Sequence, residues 1–303
     1  MGKFFQVLQR AEQQRNVYRQ LEEGGQGSRK SAVKVSVPLS VQEEPEREEE
    51  EPRSAILENV DPHLAGLLAP ASLEAERYRT ICFNLEQLHK ETGLAVLAVS
   101  SPGVGDGKTT TAINLAATLA QAPETRVLLI DIDLRRPSVA AALGLERARS
   151  QGVVSVLTNP LATFDEGMWK WPSLNLSILP AGRAQSMPHE ILKSPRLGDF
   201  LAEARRRYDY VVLDTPPLAP FPDCKLLSQW VDGFLMVVAA HRTPRKLIEE
   251  ALATMDLAKF VGIVFNYEDR AAHKYYYYYN SYNAPNGKRP WWRFRKSPSP
   301  GNQ

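Results

Sequence analysis

The chain has 303 residues, room for one large or two modest domains, and its 43% hydrophobic and 24% charged residues are typical of a globular protein. A formal net charge of +2 gives no global bias toward nucleic acid, and two cysteines make neither a disulfide framework nor a zinc cluster. No apolar run approaches the ~20 residues of a membrane-spanning helix, so the expectation is a cytoplasmic protein with reduced thiols.

Residues 1–21 read as one amphipathic helix. Its opening, MGKFFQVLQRAEQQR, lacks the apolar core and cleavage site of a signal peptide. Phe4, Phe5, Val7, Leu8 and Ala11 share a face with Lys3, Arg10 and Arg15 around it, which suits docking to a partner or to a membrane surface. Residues 22–53 turn to Gly, Ser, Pro and Glu, and the stretch from Glu43 to Glu51 is mostly glutamate. Such a segment cannot bury enough apolar surface to offset its chain entropy, so it reads as a disordered acidic linker. The folded domain is expected over 54–268, with its first long helix in SLEAERYRTICFNLEQLHK near Leu73.

Strands and helices then alternate. Apolar runs at 94–100, 126–133, 174–180, 208–214, 233–240 and 260–266 read as buried strands, with helical stretches between them at 108–121, 189–207 and 244–258. Near-continuous apolar strands separated by helices predict an α/β fold: a doubly wound, mostly parallel sheet with helices on both faces. Periodicity fails beyond Tyr267, and 269–303 reads as a flexible tail.

The first of these strands runs into SSPGVGDGKTTTAINLA. Gly103, Gly105 and Gly107 suit a tight backbone whose amides surround a phosphate, across Val104, Asp106 and Thr110. Lys108 can neutralise β- and γ-phosphates, the Thr109 hydroxyl can bind Mg²⁺, and the helix that starts there adds its positive end. Pro102 stands where G-x-x-x-x-G-K-[ST] has its first glycine. Two further acidic sites sit at strand ends, where open α/β sheets bind ligands. VLLIDIDLRRP places Asp131 and Asp133 on one face by the two-residue repeat, and YVVLDTPP puts Asp214 at another tip. These carboxylates can hold Mg²⁺ and one can accept a proton from an attacking hydroxyl, although a D-x-D after a strand also caps helices. Together with the loop they point to an ATP site of the P-loop NTPase kind.

The ordered set GDGKTTT, VLLIDIDLRRP, LPAGRAQSMPHEILKSPR, YDYVVLDTPP and VDGFLMVV, over roughly 60–268, resembles the cytoplasmic domain of bacterial tyrosine autokinases (BY-kinases) of exopolysaccharide and capsule synthesis. The resemblance implies ATP and Mg²⁺ at Lys108 and Thr109. It gives Asp131 and Asp133 as metal ligands and promoters of tyrosine deprotonation, and Asp214 as the Walker B metal residue. It also accounts for KYYYYYNSYN: Tyr275, Tyr276, Tyr277, Tyr278, Tyr279 and Tyr282 become acceptors on a tail offered to a neighbouring subunit. The partners implied are a membrane-anchored activator or polysaccharide co-polymerase, further copies of the chain and a counteracting tyrosine phosphatase, with no nucleic acid. Localisation would be cytoplasmic, with peripheral contact at the inner face of the cell membrane.

Partitioning and division-site ATPases share this kind of core and supply the alternative, a nucleotide switch that phosphorylates nothing. Their signature lysine lies five residues before the loop lysine, where this chain has Gly103. The kinase family's E-x-x-R-x-x-R is also broken, since Glu76 and Arg79 are followed by Cys82. A thiol cannot reproduce bidentate guanidinium pairing, so a weaker or differently built oligomer is expected.

Smaller features remain open at this stage. Arg135 and Arg136 suit either phosphate or partner contact, or a solvated turn. Asn266 suits an adenine edge, as in related ATPases, or a turn. His89 and His241 have no partners at metal-ligand spacing and read as surface residues. The basic, aromatic ending KRPWWRFRK, with Trp291, Trp292 and Phe294, suits an anionic membrane surface.

Overall fold

The computed structural model describes residues 53–54, 59–145, 152–183, 185 and 187–267. The expected helix over 1–21, the linker apart from Arg53, and the tail with its six tyrosines lie outside them.

The expected α/β architecture is present. Eight strands form one sheet in the order β1-β4-β5-β3-β6-β2-β7-β8. They are β1 (Arg53–Ser54), β2 (Val96–Ser100), β3 (Val127–Asp131), β4 (Trp169–Lys170), β5 (Leu176–Leu179), β6 (Tyr210–Asp214), β7 (Gly233–Ala239) and β8 (Phe260–Asn266). Every pairing is parallel except β4 with β5. Every residue of β2, β3, β5, β6 and β7 is buried, as continuous apolar runs require when helices cover both faces. Alternation still sorts the side chains: Val127 and Leu129 join one core layer, Leu128 and Ile130 the other. At about 1.5–3 kcal/mol for each fully buried large aliphatic, these two layers are the main stabilising term.

The helices are α1 (Ala65–Leu68), α2 (Leu73–Thr92), α3 (Lys108–Leu119), α4 (Val139–Ala142), α5 (Val153–Thr158), α6 (Pro188–Leu192), α7 (Pro195–Arg207), α8 (Asp223–Leu227) and α9 (Arg245–Ala253). The stretch 189–207 is two helices rather than one. Pro195 disfavours helical backbone at Ser194, which instead caps α7 by accepting from Arg196 N at 3.3 Å. The stretch 244–258 also stops early, at Ala253, and a short 3₁₀ turn follows at Leu257–Lys259. Helix α2 starts at Ser72, whose hydroxyl accepts from Ala75 N at 3.2 Å, and ends at left-handed Gly93.

Helix α3, which carries the glycine-rich loop, is buried from Thr111 to Leu119. A strap from the preceding segment holds it: Asn114 Oδ1 accepts from Gly66 N at 2.7 Å while its Nδ2 donates to His63 O at 3.1 Å. The close approach needs glycine, because a Cβ at Gly66 would stand 2.9 Å from Asn114 O.

One expectation about a single residue changes. His89 is half-buried rather than on the surface, its Nδ1 lying 2.7 Å from Leu94 O and its ring 5.0 Å from that of Tyr210. His241 is exposed, as expected. Among the described residues no helix is long and apolar enough to cross a membrane.

Both thiols are sealed in the core. Burial pushes Cys82 up to about 12 and Cys224 up to about 11. Since the thiolate is the reactive form, neither is expected to react with a disulfide reagent at pH 8 in the folded chain, whereas both react in denaturant. Rapid titration of either thiol in the native protein would contradict this packing.

Candidate active site

The glycine-rich loop leaves β2 and enters α3 at Lys108. Gly105 and Gly107 have φ of 88° and 92°, the left-handed region that favours glycine. A Cβ on Gly107 would lie 2.0 Å from Asn266 Nδ2. Gly103 has a different reason for its size: its φ is not positive, but a Cβ there would meet Leu247 Cδ2 at 2.9 Å. Asp106 braces the loop from within. Its carboxylate accepts from Gly103 N at 3.1 Å and from the Thr243 hydroxyl at 2.7 Å, and its carbonyl accepts from Asn266 Nδ2 at 3.1 Å. The Asp106 side chain is thus committed to the loop, and Asn266 ties the end of β8 to it.

The three acids converge on Lys108. Its Nζ lies 2.8 Å from Asp133 Oδ2 and 3.4 Å from Asp214 Oδ1. Thr109 Oγ1 donates to Asp214 Oδ2 at 2.7 Å and sits 2.8 Å from the Ser138 hydroxyl. Parallel pairing sets Asp131 directly beside Asp214. Asp131 Oδ2 accepts from Ser138 N and Val139 N, each at 3.0 Å, so it also caps α4. Asp133 lies beyond the end of β3, and the loop, rather than the strand repeat, turns it toward Lys108. Its other oxygen accepts from Arg136 N at 3.1 Å.

Burial dominates the electrostatics, since Asp131 and Asp214 are fully buried and Asp133 nearly so. Burial and then the charge of Asp214 push Asp131 up to about 8, against its N–H bonds and Lys108. Burial likewise raises Asp214, partly offset by Lys108 and Thr109. For Lys108 burial favours the neutral form, but Asp214 and Asp133 outweigh it and hold the ammonium above its usual range.

This donor set fits Mg²⁺. Adjacent carboxyls pushed toward neutrality gain from a cation, and the Thr109 and Ser138 hydroxyls stand beside them. Among the described residues no cluster of three His, Cys, Asp or Glu makes a self-sufficient cage. That is the usual arrangement for Mg²⁺, which takes one or two carboxylates and completes its shell with phosphates and water.

The loop, Lys108, Thr109 and Asp133 open onto a cleft of about 520 Å³. Its walls include residues the motifs did not single out: Ser138, Gln185, Pro217, Phe221 and Tyr267. Ser138 directly follows RRP and stands just before a helix, and Pro217 and Gln185 lie within the YVVLDTPP and LPAGRAQSMPHEILKSPR segments; nothing local marks Phe221 or Tyr267. Arg135 lines the cleft and is only partly exposed. Its Nε and Nη2 hold the fully buried Asp223 carboxylate at 2.6 and 3.0 Å. Arg136 is exposed on the rim.

A family model described as an AAA domain matches residues 94–228, which include the loop and all three acids. The tyrosine-protein kinase YwqD of Bacillus subtilis is 33% identical over 222 residues, 72% of this chain and 92% of its own length. The chain belongs to the bacterial tyrosine-kinase family. A second relative, the succinoglycan biosynthesis transport protein ExoP of Rhizobium meliloti, is 34% identical over 233 residues, 72% of this chain but 29% of its own. The VpsO kinase domain superimposes with a TM-score of 0.55 at 30% identity, over 65% of this chain and 98% of that one. Against this bacterial tyrosine-kinase background the division-site ATPase alternative loses its standing.

Because burial and Asp214 push Asp131 toward its neutral form and a cation needs the carboxylate, Mg²⁺ binding beside Asp131 would displace a proton and strengthen as pH rises. The stability of the metal-free chain runs the opposite way. A carboxyl with a raised folded pKa favours folding at low pH, and that contribution is lost as pH rises through the folded value. The melting-temperature gain from Mg²⁺ and ADP is therefore expected to grow from pH 6 to pH 8 in the wild type and to flatten in Asp131→Asn. A gain independent of pH in both would refute it.

Proposed function

We propose that this protein-tyrosine kinase transfers the γ-phosphoryl group of ATP to tyrosines of its own C-terminal cluster, Tyr275 to Tyr279 and Tyr282. The observation that carries this is Lys108, held at the head of α3 between Asp133 and Asp214. The loop amides from Gly103 to Thr110 and the end of α3 receive the phosphates. Thr109, Asp214 and Asp131 are the residues to hold Mg²⁺, which when bound neutralises charge on the β- and γ-phosphate oxygens. Lys108 leaves Asp133 for the phosphates, which frees Asp133 Oδ2 to accept a proton. A free phenol has a pKa near 10, so a carboxylate at the acceptor hydroxyl is needed for attack near pH 7. Asn266, now on the Asp106 carbonyl, stands where it can turn to an adenine edge.

The proposed setting is polysaccharide synthesis and export, supported by the relative named for succinoglycan transport. There a membrane-anchored co-polymerase would activate the chain at the inner face of the membrane, and a phosphatase would reset it. Each phosphate adds about −1.5 to −2 charge, so a multiply phosphorylated tail repels its neighbours and loosens an assembly. The domain division in this reading is the kinase core over 54–268 between the N-terminal helix and linker, 1–53, and the acceptor tail, 269–303.

Incubated with Mg²⁺, ATP and a membrane activator, the wild type is expected to accumulate phosphotyrosine by mass spectrometry. Lys108→Met should lose about a hundredfold or more of the transfer rate, and a chain with the six tail tyrosines changed to Phe should lose most of the label. ATP hydrolysis with no labelled tyrosine would sink the kinase reading.

Assembly is the second test. Cys82 is buried with its Sγ 3.9 Å from Leu115 O. Arg79 bonds to Glu76 and Pro70 O and reaches Gln121 Oε1 at 3.4 Å, all within its own chain. A weak or differently built oligomer is expected, and native mass spectrometry showing a stable ring of unphosphorylated chain at micromolar concentration would count against it.

A further inference from the structure

Two aromatic side chains line the cleft, Tyr267 and Phe221, and an arginine stands over each ring. Tyr267 has Arg242 Cζ 4.5 Å from its ring centroid, and a Cβ on Gly107 would lie 3.6 Å from the Tyr267 hydroxyl. Tyr267 thus stands by the residue that precedes α3. Phe221 has Arg135 Cζ 4.2 Å from its ring centroid. That guanidinium cannot wander, because it is locked in two bonds to the buried Asp223 carboxylate. The Phe221 ring is half-buried and lines the cleft with Pro217.

The chemistry gives the cleft a direction. In-line phosphoryl transfer puts the entering oxygen opposite the leaving β-phosphate oxygen. With the β-phosphate on the loop amides and α3, the side of Tyr267 and Asn266, beside Gly107, is assigned to the nucleoside. The acceptor must then come from beyond Lys108, on the side where Asp133 and Ser138 stand. The apolar surface on that side is Pro217 and Phe221.

We propose that Phe221 and Pro217 form the acceptor subsite: the substrate tyrosine packs its ring on them and presents its hydroxyl to Asp133. This rests on the kinase reading of the same cleft. In the transfer, a bond forms between the phenolic oxygen and the γ-phosphorus, the bond from that phosphorus to ADP breaks, and the phenol proton passes to the Asp133 carboxylate. The ring wall selects tyrosine over serine and threonine for two reasons. An aromatic face stacks on Phe221, and the ring carries the hydroxyl past the rim, where a short side chain would hold its own backbone outside. The Arg135–Asp223 pair is the positioning element, since it holds Phe221 from behind.

The test uses the full chain with its six tail tyrosines changed to Phe, so that the tail does not compete. The probe is a fluorescein-labelled peptide of residues 272–284, AHKYYYYYNSYNA, read by anisotropy with Mg²⁺ and a non-hydrolysable ATP analogue present. Phe221→Ala is expected to weaken peptide binding about tenfold and Phe221→Leu about two- to threefold. Affinity for a fluorescent ADP should stay within about twofold, and the melting temperature reports that both variants fold. In the transfer assay the same variants should raise the KM for the peptide and narrow the preference over a copy with serine for tyrosine. Unchanged peptide binding in both variants, or an equal loss of ADP affinity, overturns the subsite. Peptide binding that depends on Phe221 but never yields phosphotyrosine overturns the kinase reading instead, so the two failures are distinct.

Discussion

Three carboxyl groups are buried at the ends of two neighbouring strands with one ammonium between them, and the rest of the structure serves that arrangement. Asp131, Asp133 and Asp214 exceed the single charge of Lys108, while the nearest guanidinium, Arg135, is spent on Asp223. Buried charge without a partner is strongly unfavourable. The protein tolerates the excess because backbone amides bond Asp131 and Asp133, and because burial pushes Asp131 and Asp214 toward their neutral forms. A site in that condition favours a divalent cation and a polyphosphate together. The cation takes up the surplus negative charge and the phosphates take up the lysine.

The scaffold supplies the rigidity such a balance needs. Parallel pairing of β3 with β6 makes Asp131 and Asp214 neighbours, and the one residue that differs in this logic, Asp133, is turned inward by the loop after β3. Helix α3 is held from behind by the Asn114 strap and from in front by the Asp106 braces to Gly103, Thr243 and Asn266. Lys108 therefore hangs from an element whose backbone has little freedom. Preorganisation of this kind is how a site for phosphoryl transfer works, since catalysis there is mostly positioning and electrostatics.

The buried Cys82 shows how a family pattern can change character. At its place in α2 the side chain faces the protein's own core, packed near the carbonyl of Leu115, and Arg79 is drawn to partners within the chain. Phe221 offers the converse case, a residue that no motif marks, held in the cleft wall beneath an arginine that is itself bound to Asp223.

The sequence by itself determined the alternating strands and helices, the parallel sheet covered on both sides, the glycine-rich loop with Lys108 and Thr109, and the acids at strand tips. These are legible because hydrophobic period and glycine spacing act over a few residues. It also placed most strand bounds to within about two residues, an ordinary margin for such readings. What it missed depended on contacts between distant segments or on short breaks: the split at Pro195, the short strands β1 and β4, the half-buried His89, and the pairing of Arg135 with Asp223. The tertiary structure alone decided which acid meets which cation, that Ser138 stands beside Thr109, and that Phe221 and Tyr267 both line the cleft. Burial and distance across 88 residues of chain, as between Arg135 and Asp223, leave no local trace in the order of amino acids, because packing sets them only once the sheet has formed.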